Sequence, residues 1–147
     1  MTTPLQAKKP LKSTSLMSFK EIAVGDHSFQ GKEKPIRLKD LIENPLISLG
    51  QGSTTYEFYS KFFLENDLVL SPDTEVETID QVLPLIMNGL GIGFLPELFV
   101  RPVIEEGKVC QIPLKENIPE REICLVENHT FPPSITAEMF KKMLVLK

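Results

Sequence analysis

The sequence contains no tryptophan and only two cysteines and two histidines among its 147 residues. Two cysteines do not provide the disulfide framework that stabilises many small secreted domains. Because both lie in apolar stretches, we expect Cys110 and Cys124 to be free thiols inside the protein. His27 and His129 add too few ligands for a zinc site. The sequence therefore predicts neither a metal nor a cofactor.

The sequence also has no excess of positive charge. Its 20 acidic residues outnumber its 16 lysines and arginines, and the formal net charge is −4. A nucleic-acid surface is typically a concentrated basic patch, so this balance argues against direct DNA binding by the chain. Long apolar runs are missing too, and none approaches the ~20 residues of a membrane span. Residues 1–12 lack the apolar core of a signal peptide, so we expect a cytoplasmic location and no membrane contact.

What the sequence does contain is an alternation of short strand-like and helix-like segments. The apolar fraction of 41% and charged fraction of 24% are those of a globular protein. The alternation predicts an α/β fold whose sheet is covered by helices on both faces. Predicted strands cover residues 16–24, 46–49, 75–77, part of 89–96, 109–113 and 122–127. Predicted helices begin near residues 38, 54, 78, 97 and 134.

The glycine-rich segment 89–96 follows a helix and precedes a short strand. Thr78 and Gln81 have the spacing of a capping box at the start of that helix. Gly89 stands where a left-handed cap would end it, and Pro84 should remove one backbone hydrogen bond inside it. A dinucleotide-binding fingerprint needs the opposite order, from strand through glycines into helix. The segment is therefore predicted to be structural.

The best candidate for a binding site is the segment 50–55, at the end of one predicted strand and the start of a helix. Glycines and the hydroxyl side chains of Ser53, Thr54 and Thr55 meet there. Thr54 is predicted to cap the helix, with Glu57 completing a second capping box. Unpaired backbone N–H groups and the helix dipole favour an anion at such a position. A turn and a cap without any ligand explain the same residues and are commoner.

Catalytic arrangements are scarce in the sequence. No lysine follows the glycines of this segment, which excludes a nucleoside-triphosphate loop. Ser53 has no histidine with an evident supporting role, and His129 lies in a polar stretch typical of a surface turn. We therefore predict a protein that is not an enzyme.

Several short patterns follow one another along nearly the whole chain. They are Lys39-Asp40-Leu41-Ile42-Glu43-Asn44-Pro45-Leu46-Ile47, Ser53-Thr54-Thr55, Glu75-Val76-Glu77, Gly89-Leu90-Gly91-Ile92-Gly93-Phe94-Leu95-Pro96-Glu97, residues 106–114 and Pro119-Glu120-Arg121-Glu122-Ile123. In this order they resemble the effector-binding region of bacterial LysR-type transcriptional regulators. The resemblance implies a periplasmic-binding-protein-like (type 2) fold of two α/β subdomains, with a small-molecule effector in the cleft between them.

The resemblance also implies which residues bind and what the chain lacks. Gly52, Ser53, Thr54 and Thr55 would contact a small, anionic effector, and Thr3 would be a hinge contact. Residues from about 15 to 120 would form the second subdomain, and residues 121–147 would be a tail that returns to a missing first subdomain. DNA would be bound only through an N-terminal domain that the sequence does not contain.

The leading hypothesis is a co-inducer sensing module of a transcriptional regulator, without catalysis. The alternatives are a solute-binding protein of a transporter and an enzyme on the same fold. The C-terminal helix carries an apolar stripe of Ile135, Met139, Phe140 and Met143, for which we expect self-association through the tail.

Overall fold

The computed structural model describes residues 11–128, 130, 132 and 134–145. The elements in chain order are β1 Leu11–Phe19, β2 Glu21–Gly25, α1 Leu38–Leu41, β3 Ile47–Leu49, α2 Thr54–Glu65, β4 Thr74–Val76, α3 Val82–Met87, β5 Gly93–Pro96, α4 Glu97–Glu105, β6 Cys110–Ile112, β7 Arg121–Asn128 and α5 Ile135–Val145. Short 3₁₀ turns lie at His27–Phe29 and Ile79–Gln81. The chain divides into a smaller unit containing β1, β7 and α5 and a larger unit, Lys20–Pro119.

The larger unit is built on a mixed sheet. β2 pairs antiparallel with β5 on one side and with β6 on the other, and β3 pairs parallel with β4. The two groups of strands are joined where Ile47 N donates to Ile92 O at 2.8 Å and Ile92 N donates to Pro45 O at 2.9 Å. These two hydrogen bonds join the β3–β4 pair to the sheet next to β5.

Helices cover both faces of this sheet, as predicted. One core holds buried residues of α1 and α2 together with Ala23, and the other holds buried residues of α3 and α4 together with Ile22 and Val24. Successive side chains of a strand point to opposite faces, so β2 contributes to both cores. A strand that is buried on both sides is typical of a sheet between helical layers.

The aromatic residues of α2 form core and not a stacking surface. Tyr59, Phe62 and Phe63 are buried. The ring of Tyr59 stacks on Phe94 of β5 with centroids 4.7 Å apart, and Phe63 meets Phe94 edge-on at 6.0 Å. These contacts fix the position of α2 over the sheet.

The predicted single strand 16–24 is wrong, because the structure divides it into β1 and β2 at Lys20. β1 pairs with β7, whereas β2 pairs with β5 and β6. The chain thus changes sheets at this residue. Sequence periodicity does not reveal such a change, since both strands are strand-like and contiguous.

The glycine segment has the predicted order of helix, turn and strand. Gly89 has a φ of +73°, and Gly89 N donates to Ile86 O while Leu90 N donates to Leu85 O. This pair of bonds is a Schellman cap. Pro84 lies in the first turn of α3, where its missing N–H is not needed.

Gly91 and Gly93 are required by close packing. A Cβ atom on Gly91 would lie 2.5 Å from the carbonyl oxygen of Pro45, and one on Gly93 would lie 2.9 Å from a side-chain carbon of Val82. Both distances are shorter than real Cβ contacts. The absence of side chains therefore lets β5 approach the chain segment that leads into β3.

The residue that caps α2 is Ser53, and the prediction that Thr54 caps it is wrong. Ser53 is extended, with φ −82° and ψ 149°, and its side chain accepts a hydrogen bond from Tyr56 N at 3.0 Å. Gly52, at φ +93°, turns the chain so that helical geometry begins at Thr54. The third helical residue is then Tyr56, so Glu57 cannot complete a capping box. The predicted box at Thr78 and Gln81 is present.

The smaller unit is a two-stranded antiparallel ribbon with one helix. β1 and β7 pair from Leu11 with Asn128 to Phe19 with Arg121. Lys141 of α5 forms an ion pair with Glu127 of β7 at 3.1 Å. The predicted apolar stripe is largely exposed on α5, at Ile135, Met139, Phe140 and Met143.

Replacing Gly91 by alanine should lower the free energy of unfolding by about 3 kcal/mol, because the new methyl group would overlap the Pro45 carbonyl. Urea unfolding measures this loss. Gly107→Ala is the matched control, since Gly107 also has positive φ (+76°) but has no atom within 4 Å of an added Cβ. Its loss should be about 1 kcal/mol, from backbone strain alone. Equal losses in the two variants would contradict the close-approach account.

Replacing Ser53 by alanine should cost about 1 kcal/mol of stability, because the N–H of Tyr56 would lose its acceptor. Thr54→Ala should change stability by much less, since Thr54 is the first helical residue and not the cap. The comparison uses the urea midpoints of the two variants. A larger loss for Thr54→Ala would show that the cap is assigned to the wrong residue.

Candidate functional site

The segment 50–55 lies at the carboxyl end of β3, where α2 begins. β3 and β4 are parallel, so their carboxyl ends reach the same edge of the sheet. Ligands of open α/β sheets bind at such edges. Ser53 N donates to Gly50 O at 3.4 Å and the Ser53 hydroxyl donates to the same oxygen at 3.0 Å. The loop is thus closed on itself by Ser53.

The three hydroxyl residues that the sequence brings together have different surroundings. Ser53 uses its oxygen both to cap α2 and to close the loop. Thr54 is exposed, and its hydroxyl has no hydrogen bond to any residue that the structure describes. Thr55 is half-buried and points toward a cleft beside the helix. Thr54 is therefore better placed than Ser53 to contact a ligand.

A narrow cleft of ≈ 10 Å³ lies beside α2. Its walls come from β3, α2, β5 and the turn before α3, and they are Ile47, Ser48, Leu49, Thr55, Tyr59, Ile79, Val82 and Phe94. Most of these side chains are apolar. A space of this size holds about one water molecule, so the cleft is a gap at the edge of the core and not a preformed ligand pocket.

Glu75 is a residue of this site that sequence reasoning missed. In the parallel register of β3 and β4 it pairs with Ser48. A Cβ atom on Gly50 would lie 3.3 Å from Glu75 Oε2, so the carboxyl group is next to the loop. Glu75 is exposed. The sequence did contain one indication of this position. The strands before and after α2 would end at the same edge of the sheet if they paired in parallel.

The remaining candidates that the structure describes do not line this cleft. Thr3 and His129 lie outside the described residues, and His27 is exposed in a 3₁₀ turn. Cys110 is half-buried and Cys124 is buried, and neither is in a disulfide. Hydrogen bonds from Ser28 hold the pKa of Asp26 below its usual value, and that carboxyl group caps the same turn.

Among the residues that the structure describes, no three or more histidine, cysteine or acidic side chains are placed to hold a metal ion. None of the described helices has both the length and the apolar character needed to cross a membrane.

Comparison with known proteins gives the family. Residues 4–145 match the LysR substrate binding domain. YwqM, a transcriptional regulator of the helix-turn-helix type from Bacillus subtilis (strain 168), is 29% identical over 100 residues, covering 68% of this chain and 33% of that protein. The transcriptional activator CmpR of Synechocystis is 36% identical over 64 residues, or 44% of this chain and 21% of CmpR.

Solved structures give the same fold. The effector binding domain of QuiR in complex with shikimate superposes with a TM-score of 0.82 at 16% identity, over 98% of this chain and 68% of that one. The regulatory domain of CcmR from Synechocystis PCC6803, in complex with 2-PG, also gives 0.82, at 14% identity and with coverage of 97% and 68%. The chain spans about a third of the length of YwqM and a fifth of CmpR. With the family match covering almost all of it, the chain belongs to the LysR substrate-binding domain family, which has a periplasmic-binding-protein-like α/β fold.

Proposed function

We propose that this chain is the effector-sensing part of a LysR-type transcriptional regulator and binds a small, anionic co-inducer without transforming it. The observation that carries the proposal is the turn at residues 50–55. It presents the exposed Thr54 at the start of α2, at the carboxyl edge of the sheet. The family match supplies the context in which such a site is used.

Hydrogen bonds would hold the ligand. Gly52 lets the loop turn, Ser53 holds its shape, and the start of α2 offers the Thr54 hydroxyl and backbone N–H groups. A helix start favours negative charge on the ligand. Shikimate and 2-PG, named in complexes of two similar domains, are small molecules.

The turn at residues 50–55 would form one wall of the effector site. Residues 15–120 would form the subdomain that carries it, with Thr3 as a contact at the hinge, and residues 121–147 would belong with the first subdomain. Signalling requires that the effector bind one arrangement of the domain better than another. DNA would be contacted by a separate helix-turn-helix domain of the whole regulator, in the cytoplasm.

An enzyme on the same fold is the second candidate, and the surroundings of the turn disfavour it. The cleft is lined mostly by apolar side chains, and Ser53 is engaged with Gly50 and Tyr56. A nucleophile needs a base within hydrogen-bond reach. A solute-binding protein of a transporter would use the same turn, and only the regulator relatives favour the sensor over it.

Shikimate added to this chain should shift the backbone amide NMR signals of residues 50–56 and leave those of α5 unchanged. Because this chain would supply only one wall of the effector site, we expect a dissociation constant for shikimate of about 1 mM. This corresponds to a binding free energy of about 4 kcal/mol. Thr54→Val should weaken this binding, whereas Thr136→Val, an exposed position in α5, should not.

Three outcomes would contradict this prediction. Signals that do not move at residues 50–56 would exclude the site for this probe. Micromolar binding would show that no second wall is needed. Conversion of shikimate into another compound during the titration would favour an enzyme.

We also propose that the chain self-associates through α5. Ile135, Met139 and Met143 are 79%, 62% and 67% exposed, along one side of the helix. A contiguous apolar stripe of this kind is typical of an interface. A second copy can cover it with the same stripe, as in a two-fold dimer.

Light scattering of the chain should therefore give a mass of at least two copies at micromolar concentration, and Met139→Lys should lower it toward one copy. Leu98→Lys is the control, because Leu98 is equally exposed (68%) but lies on α4 in the other unit. A wild-type monomer, or equal effects of the two substitutions, would contradict an interface at α5.

A further inference from the structure

The C-terminal cap of α3 contains the one Asn-Gly step of the sequence. Five asparagines are present, and only Asn88 is followed by glycine. Asparagine is a chemically labile residue, because the next backbone nitrogen can attack its side-chain amide in water. A following glycine favours this attack, since it has no Cβ atom to hinder it. Asn88 and Gly89 are both exposed, so water reaches them.

The reaction is balanced with water as its only other reactant. Gly89 N loses its proton and forms a bond to Cγ of Asn88, the bond from Cγ to Nδ2 breaks, and the side-chain nitrogen leaves with that proton as ammonia. The intermediate is a five-membered succinimide ring. Water then opens the ring at Cγ to give aspartate, or at the backbone carbonyl carbon to give isoaspartate.

The folded cap opposes the first of these steps. Ring closure needs Gly89 N and Cβ of Asn88 on the same side of the Cα–C bond, and the ψ of Asn88, 11°, turns the nitrogen away from the side chain. Asn88 Nδ2 donates to Pro84 O at 2.6 Å, and Gly89 N donates to Ile86 O at 3.0 Å. The cap must therefore open before the ring can form.

We propose that Asn88 is a site of spontaneous deamidation and that the C-terminal cap of α3 sets the rate of the reaction. Helix ends open locally at a lower cost in free energy than unfolding of a whole unit. The folded chain therefore reacts at the low rate given by the open fraction of this cap, and deamidated chains accumulate as the protein ages.

Either product weakens the cap. Aspartate cannot donate to Pro84 O, and its negative charge lies at a helix C-terminus, where the helix dipole disfavours it. Asp26 is a like charge nearby, since a Cβ atom on Gly89 would lie 3.1 Å from Asp26 Oδ2. Isoaspartate also inserts a further carbon into the main chain just before Gly91, which packs against the Pro45 carbonyl. Deamidation should thus destabilise the larger unit.

The end of α2 has the same kind of cap and supplies a control within the chain. Asn66 has a ψ of 21°, and its Nδ2 donates to Phe62 O at 2.8 Å. The next residue, Asp67, has a φ of +62°, in the left-handed region like Gly89. The two caps therefore differ mainly in the side chain that follows the asparagine. If the Asn-Gly step served only as a cap, both asparagines would stay intact equally long.

The test incubates the full chain in warm, mildly alkaline solution, in buffer and in urea, and follows Asn88 and Asn66 by peptide mapping with mass spectrometry. In urea, Asn88 should be converted to aspartate and isoaspartate while most of Asn66 remains. In buffer, conversion of Asn88 should be slower by about tenfold or more, because only the open cap reacts. Hydrogen exchange of the Gly89 amide should be slowed by about the same factor, since it needs the same opening.

Two variants separate the chemistry from the fold. Gly89→Ala should slow the conversion of Asn88 in urea toward that of Asn66, because the added methyl group hinders the attack even in an unfolded chain. Asn88→Asp reproduces the aspartate product and should lower the thermal midpoint by about 3 °C. Asn117→Asp makes the same charge change in an exposed segment outside the helices and should leave the midpoint unchanged.

Other outcomes overturn the inference. If Asn88 stays intact in urea as long as Asn66, it is not a deamidation site. Equal rates for Asn88 in buffer and in urea would show that the cap does not control the reaction. Slowing in buffer that far exceeds the protection of the Gly89 amide would assign control to unfolding of the whole unit. An unchanged midpoint for Asn88→Asp would contradict the predicted loss of stability.

Discussion

The backbone contact between Ile92 and the chain around Pro45 holds the larger unit together. Two hydrogen bonds of 2.8 and 2.9 Å join the segment before β5 to the start of β3. They form only because Gly91 has no side chain to meet the Pro45 carbonyl. Without this contact, β3 and β4 would be a separate two-stranded piece, and such pieces are marginal by themselves. The position of β3 in turn sets where its carboxyl end, and therefore the binding turn, lies.

The same turn illustrates how a binding site can share residues with the fold. Ser53 is fully engaged in capping α2 and closing the loop, so its neighbour Thr54 is left exposed to solvent. A rigid turn costs a ligand little ordering entropy on binding. Rigidity here comes from the cap and from the stacking of Tyr59 on Phe94, which anchors α2. Glu75 then adds a charge that the turn itself does not need.

The two units differ in how well their apolar surfaces are covered. The larger unit buries both faces of its sheet under helices, whereas the smaller unit has a two-stranded ribbon and one helix with an exposed stripe. About a third of each of two similar solved domains lies outside the part that this chain matches.

Local patterns in the sequence were sufficient for much of the fold. The spacing of Thr78 and Gln81 predicted a capping box, and Gly89 predicted a left-handed cap. Each of these depends on interactions within a few residues of one another. The alternation of strand-like and helix-like segments predicted the α/β fold, and the glycines and hydroxyl residues predicted the candidate site at residues 50–55. The family resemblance added the periplasmic-binding-protein-like arrangement. It also carried Thr3, which lies outside the described residues.

The tertiary structure decided those features that depend on residues far apart in the sequence. β1 and β2 are separate strands because they pair with different partners, and Gly91 is needed because Pro45 is close. Ser53, and not Thr54, caps α2 because Gly52 turns the chain one residue earlier than propensity indicates. Glu75 joins the site because β4 pairs in parallel with β3. The sequence by itself determined the elements and the hydroxyl turn, since these arise from local interactions. Only the tertiary structure decided which hydroxyl is exposed and which carboxylate stands beside it, since strand pairing brings together residues that are far apart in the chain.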